Sequence, residues 1–302
     1  MGLDNLVYEF SKNTSPQIED VGSKAYSLSL LISQGFNVAS GFVLTTGIYD
    51  LITSNDIRLL ERKNAIKKYW LSSSISQGGI MNFPPWVPSL PQQVSKIVVD
   101  KWIQLGSIPV IARSSATNED NKSASFAGVY SSVLNLQSSD TLITAIEEVY
   151  KSTFSFRMIE YINILPTFGK SKAENLDSKM AVIIQKMVTG MVSGIAFSRS
   201  PITGAKEIVI EAQHGNNHNL VDGLASPQTI VFPYENTKSI NKERMKSSPL
   251  HDNFYLSLES INNLLVSIWQ IEDILGRPAD IEWTITANNK LYILQARPIT
   301  TI

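Results

Sequence analysis

Asp280, Glu282 and Gln295 recur at alternating positions in two short apolar runs, 280–285 and 291–296, on either side of Asn288-Asn289, and Arg297 continues the alternation just past the second run. Asparagine tolerates positive φ, so Asn288-Asn289 reads as a two-residue hairpin turn. Centring the turn there pairs Glu282 with Gln295 and Asp280 with Arg297. Strand alternation then puts those four on one face and Ile281, Trp283, Leu294 and Ala296 on the other. Two carboxylates and an amide oxygen are hard ligands of the kind Mg2+ prefers, with waters and phosphate oxygens completing its octahedron. An arginine beside them suits a phosphate. The same pattern also describes a solvated strand face carrying a cross-strand Asp280–Arg297 ion pair, and alternation alone leaves both readings open.

A second group lies upstream. The apolar Val110-Ile111-Ala112 runs into Arg113-Ser114-Ser115-Ala116-Thr117. Arginine offers phosphate a permanently charged fork of donors, and small hydroxyl residues let backbone amides approach an anion. Gly22-Ser23-Lys24 opens a helix, whose N-terminal amides and dipole also favour an anion. It is not a Walker A loop: the upstream glycine and the Ser/Thr after the lysine are missing. The bland alternatives are a surface arginine at a strand end and an exposed first-turn lysine. The stretch Ser125-Phe126-Ala127-Gly128-Val129-Tyr130 can fold over a ligand or serve as a plain turn. His214, His218 and His251 are isolated and read as solvated loop residues.

The elements that must position these groups follow from periodicity. Helical spacing marks 23–33, 58–70 and 92–105, then 140–165 as one long helix or two shorter ones, and 256–275. Short β-branched runs at 180–184, 194–197, 207–212 and 229–232 mark strands. The stretches 72–91 and 233–252 read as loops. The fold class expected is α+β in two lobes, 1–178 and 179–302. With 302 residues and 43% hydrophobic content, the chain can bury a sizeable core. A net charge of -1 gives no general attraction to nucleic acid or an anionic membrane, and no run approaches the length of a bilayer span. The absence of cysteine excludes disulfides and thiolate metal sites, and a cytoplasmic setting is expected.

In order and local sequence, these pieces resemble the N-terminal ATP-grasp domain shared by phosphoenolpyruvate synthases, pyruvate phosphate dikinases and rifampicin phosphotransferases. The resemblance rests on Val21-Gly22-Ser23-Lys24-Ala25, Gly41-Phe42-Val43-Leu44-Thr45-Thr46, Arg113-Ser114-Ser115-Ala116-Thr117-Asn118-Glu119-Asp120 and Ser125-Phe126-Ala127-Gly128. It continues through Ile184-Gln185-Lys186-Met187-Val188, Val192-Ser193-Gly194-Ile195-Ala196-Phe197-Ser198, Pro201-Ile202-Thr203-Gly204, Asp280-Ile281-Glu282-Trp283 and Leu294-Gln295-Ala296-Arg297-Pro298. It implies an ATP-grasp-like fold whose two lobes hold the nucleotide between them.

The resemblance also implies roles. Lys24 and Arg113 would contact the ATP phosphates, Gly128 would lie in a loop over them, and Arg297 would hold the terminal phosphate. Glu282 and Gln295 would bind Mg2+, with Asp280 assisting. The strand through Gln185, Met187 and Val188 would read the adenine edge with its backbone. Where many relatives carry Gly-Leu-Gly-Glu, this chain has Gly215-Asn216-Asn217-His218, followed by Leu220-Val221-Asp222-Gly223 and Ser226-Pro227. The family's swivelling histidine domain and acceptor-binding domain have no counterpart in this sequence. The expectation is a Mg-ATP-dependent phosphotransferase module that donates phosphate to a histidine on a separate domain or protein and releases AMP. It is read as either an excised domain or a stand-alone subunit. An ATP-sensing module and a direct small-molecule kinase are the alternatives; no nucleic-acid or membrane partner is expected.

Overall fold

A computed structural model describes residues 5–13, 15–54, 56–71, 86–121, 124–125, 129–164, 177–215, 227–234 and 256–299. The chain is α+β and divides into two compact units, Met1–Ser29 with Ser40–Met187, and Leu30–Ala39 with Val188–Ile302.

In the first unit, strands β1 (Val7–Glu9), β2 (Gly41–Leu44), β3 (Val110–Ala116), β6 (Ser132–Leu136) and β7 (Met180–Lys186) form an antiparallel sheet in the order β1-β2-β7-β3-β6. The short strands β4 (Asp120–Asn121) and β5 (Ala124–Ser125) make a separate ribbon. Strand alternation sends Phe42, Leu44, Val110, Ala112, Ala116, Met180, Val182 and Ile184 into one core. That core is shared with helices α2 (Thr46–Thr53), α3 (Ile57–Leu71), α4 (Gln92–Gln104), α5 (Ser139–Ser152) and α6 (Phe156–Ile164). Leu142, Ile146 and Val149 of α5 lie at helical spacing and are fully buried. The helical stretch after Ser138 is two helices, because Ser155 Oγ accepts the Met158 N–H and caps the second one. The opposite sheet face carries Val43, Ile183, Gln185, Ile111, Arg113 and Ser115, with Arg113 directly opposite Ile183.

The sequence reading divides the lobes near residue 178. The division into compact units instead falls after Met187, because β7 is the central strand of the first sheet, paired with β2 on one side and β3 on the other. The helix α1 (Ile18–Ser33) is interrupted at Gly22, whose φ of 73° and ψ of 170° are not helical, and helical geometry resumes at Ser23. A glycine opening the Lys24 helix is thus the observed arrangement.

In the second unit, strands β8 (Val192–Phe197), β9 (Glu207–His214), β10 (Gln228–Pro233), β11 (Ala279–Ile285) and β12 (Leu291–Pro298) form an antiparallel sheet in the order β10-β9-β8-β11-β12. Its apolar face packs on α7 (Leu258–Leu275) through Ile261, Leu264, Leu265, Ile268 and Ile271. Ser257 caps the start of that helix by accepting the Ser260 N–H, and Gly276 closes its end at φ 64°. Gly194 is required by packing: a Cβ there would stand 2.4 Å from the Trp283 ring and 1.9 Å from the Glu211 carbonyl oxygen. Among the described residues, no helix is long and apolar enough to cross a membrane.

Candidate functional site

The hairpin forms with the expected pairs at its functional end, Asp280 opposite Arg297 and Glu282 opposite Gln295. The route to that register differs from the two-residue turn. The Asn289 N–H bonds the Thr286 carbonyl, the Thr286 N–H bonds the Lys290 carbonyl, and Asn289 alone has positive φ, at 58°. The loop is therefore 287–289, which places Ile285 opposite Leu291 and Trp283 opposite Ile293. An irregularity between Glu282 and Trp283 then adds Leu294 on the β12 side and restores the pairing beyond it. As a result Ile293, not Leu294, joins Ile281, Trp283 and Ala296 in the core, and Leu294 is half-buried. The bulge keeps Gln295 and Arg297 beside the two acids.

On the polar face of the second sheet, Glu282 and Asp280 are half-buried and Gln295 is buried. Arg297 donates through Nε at 2.9 Å and Nη2 at 2.6 Å to Asp280 Oδ2, so the cross-strand ion pair forms and fixes the guanidinium. Burial raises the Asp280 carboxyl above its usual value, Arg297 pulls it back, and Glu282 raises it further. The sheet register adds a residue that the sequence reading did not single out. Glu211 of β9 lies opposite Ile195 of β8, which lies opposite Glu282, so the row runs Glu211, Ile195, Glu282, Gln295. Its signal was the alternation of Glu207, Val209 and Glu211 in an apolar run. Burial and then the nearby Asp280 charge raise the Glu211 carboxyl.

A raised carboxyl favours the protonated folded state. Its stabilising contribution is complete below the ordinary carboxylate range and is lost as pH rises through the folded value. Glu211→Gln should therefore raise the thermal midpoint at neutral pH, and the gain should shrink on acidification through the carboxylate range. Scanning calorimetry across that range checks it; an equal gain at every pH would remove the electrostatic account.

The donor set fits Mg2+. No group of three or more acidic or histidine side chains among the described residues is disposed to hold a metal by itself. Mg2+ does not need one, since it commonly takes one or two carboxylates and fills its octahedron with water and phosphate. Glu282 and Gln295, opposite each other across the strands, are a carboxylate and an amide of that kind, and Asp280 accepts from Arg297.

In the first unit, Lys24 is not an exposed first-turn lysine: its side chain is 14% exposed, and Nζ bonds Glu119 Oε1 at 2.5 Å and Ser114 Oγ at 3.2 Å. Ser115 Oγ donates to the Val21 carbonyl and accepts the Ala25 N–H, tying the start of the Lys24 helix to the end of β3. Arg113 is half-buried on the non-core face, one strand from Ile183. The structure thus brings Lys24 to the end of the strand that carries Arg113. Gln185 is buried within β7, and the N–H groups of Lys186 and Met187 are engaged by the Ser40 and Pro109 carbonyls. Gly128, His218 and His251 lie outside the described residues, and His214 is exposed at the end of β9.

Lysine and arginine beside a hydroxyl-rich strand end in one unit, and acids, an amide and an arginine on a hairpin in the other, stand on an α+β chain of two compact units. The chain belongs to the family of the pyruvate phosphate dikinase AMP/ATP-binding domain, whose model matches residues 18–302. It is 30% identical to a rifampicin phosphotransferase of Bacillus subtilis, over 99% of this chain and 36% of that protein. It is 35% identical to a probable phosphoenolpyruvate synthase of Archaeoglobus fulgidus, over 64% of this chain and 27% of the relative. An uncharacterized phosphotransferase of Bacillus subtilis, YvkC, is 28% identical over 93% of this chain and 33% of its own length. The chain thus spans about a third of the length of these curated relatives.

Proposed function

We propose that this chain binds ATP with Mg2+ and donates phosphate to a histidine on a swivelling domain or partner protein, with an acceptor-binding domain completing the reaction. The observation that carries the reading is the polar hairpin face, where Glu282 stands opposite Gln295 and Asp280 orients Arg297, within a chain matched to an AMP/ATP-binding family.

Each residue has a chemical task. Lys24 and Arg113 neutralise and orient the phosphate chain, and Arg297, held by Asp280, meets the terminal phosphate. Glu282 and Gln295 would hold the Mg2+, which would supply charge neutralisation to the phosphate chain. Because the Lys186 and Met187 N–H groups are engaged by the Ser40 and Pro109 carbonyls, the adenine-edge donor falls to Val188, with the neighbouring carbonyls as acceptors. The histidine nitrogen attacks the β-phosphorus; the bond from that phosphorus to the oxygen bridging the α-phosphate breaks, AMP leaves with that oxygen and its electron pair, and the histidine carries the β,γ-pyrophosphoryl group until water takes the γ-phosphoryl group as inorganic phosphate and leaves phosphohistidine. The ring proton goes to solvent.

Calorimetric titration of the chain with ATP, with and without Mg2+, tests the first step. Binding that requires Mg2+ and weakens at least about tenfold in Arg113→Ala is expected. No binding in either condition would overturn the reading. Nucleotide chromatography after incubation with a histidine-bearing partner domain then separates AMP from ADP.

A further inference from the structure

Glu119 is a carboxylate only 3% exposed, in a protein whose acidic residues mostly face water. It stands in a turn after β3, in which its own N–H reaches back to the Ala116 carbonyl at 3.4 Å. Both carboxylate oxygens are engaged: Oε2 accepts the Ala116 N–H at 3.2 Å and Oε1 accepts from Lys24 Nζ at 2.5 Å. The turn is braced by Tyr130, whose hydroxyl donates to Asn118 Oδ1 at 3.4 Å. On the other side of Lys24, Ser115 fixes the helix start and Ser114 Oγ takes a second ammonium proton.

We propose that Glu119 is a positioning residue, which holds the Lys24 ammonium ready for an oxygen of a nucleotide phosphate chain. This rests on the reading of Lys24 as a phosphate contact. An ammonium has three donors, and two are committed to Glu119 and Ser114, so the third is directed by those bonds toward a ligand. A lysine side chain is otherwise a flexible stem that loses rotamer freedom on binding; anchoring it beforehand removes that cost from the binding step. The charge of Glu119 matters as well as its shape. It keeps the ammonium paired in a part-buried place when no phosphate is present, without occupying its last donor.

A merely structural ion pair makes a different prediction from a positioning one, and a double-mutant cycle separates them. The affinity of the full 302-residue chain for MgATP is measured by calorimetry for Lys24→Met, Glu119→Gln and the double variant. The expected losses are about a hundredfold for Lys24→Met and about tenfold for Glu119→Gln, with the double variant no weaker than Lys24→Met. Glu119→Asp, which keeps the charge, should recover part of the Glu119→Gln loss, and it takes that variant's place in the cycle if Glu119→Gln does not fold. Losses that multiply in the double variant, or a Glu119→Gln chain that binds as the wild type does, would overturn the positioning role while leaving Lys24 in place. A Lys24→Met chain with unchanged affinity would instead overturn the reading of Lys24, and the inference with it.

Discussion

Glu282→Ala is expected to abolish the Mg2+-dependent part of ATP binding, a loss of about a hundredfold or more, with the thermal midpoint within a few degrees of the wild type. The side chain is half-buried on the polar face of β11, away from the apolar face that packs on α7, so its removal opens no core cavity. Arg297→Ala should also lose ATP binding, but by a different physical route that affects stability. It leaves the part-buried Asp280 carboxylate without the guanidinium that bonds it twice, at a cost of about 2 kcal/mol. Adding Asp280→Asn to Arg297→Ala removes the orphaned charge. That double variant should regain its stability and still fail to bind ATP, which separates a phosphate-binding arginine from a purely structural ion pair. Calorimetric titration and thermal unfolding on the same samples read both quantities. ATP affinity retained by the double variant would reduce the hairpin face to a solvated strand with an ion pair.

Gly22→Ala is expected to destabilise the first unit by about 3 kcal/mol or more and to lower ATP affinity with it. Gly22 sits at φ 73° and ψ 170°, a region open essentially to glycine alone. A Cβ there would lie 1.9 Å from the Ser115 carbonyl oxygen, which is backbone and cannot swing aside. The only relief is to move the start of the Lys24 helix away from β3, breaking the Ser115 bonds to Val21 and Ala25 and drawing Lys24 from Glu119. Urea unfolding monitored by circular dichroism measures the stability change. Normal stability in the variant would mean that the close approach of Gly22 to Ser115 is not a constraint of the folded protein.

The hairpin shows how much a sequence can carry and where it stops. Alternation in 280–285 and 291–296, continued to Arg297, places Asp280, Glu282, Gln295 and Arg297 on one face, because side-chain direction in a strand depends only on parity. The turn differs from the two-residue expectation because positive φ at one asparagine and at two imply different loop lengths, and Asn288-Asn289 is compatible with both. The bulge that admits Leu294 compensates the longer loop; it is set by packing of Trp283 and Ile293 in the core, which has no local signature. Glu211 was legible by the same parity, but its place in the Glu282 row depends on how β9, β8 and β11 register.

By itself the sequence determined the α+β class, most element positions, the polar face of the hairpin, and a glycine opening the helix of Lys24. All of these follow from short-range rules: the 3.6 and 2.0 periods of helix and strand, and the conformational freedom of glycine. Tertiary structure alone decided that β7 is central to the first sheet, that Lys24 is held by Glu119 and Ser114 rather than exposed, and that Glu211 shares a face with Asp280. Those facts join residues dozens of positions apart, and no local pattern contains them, because strand order and buried charge pairing are chosen by the packing of the whole chain.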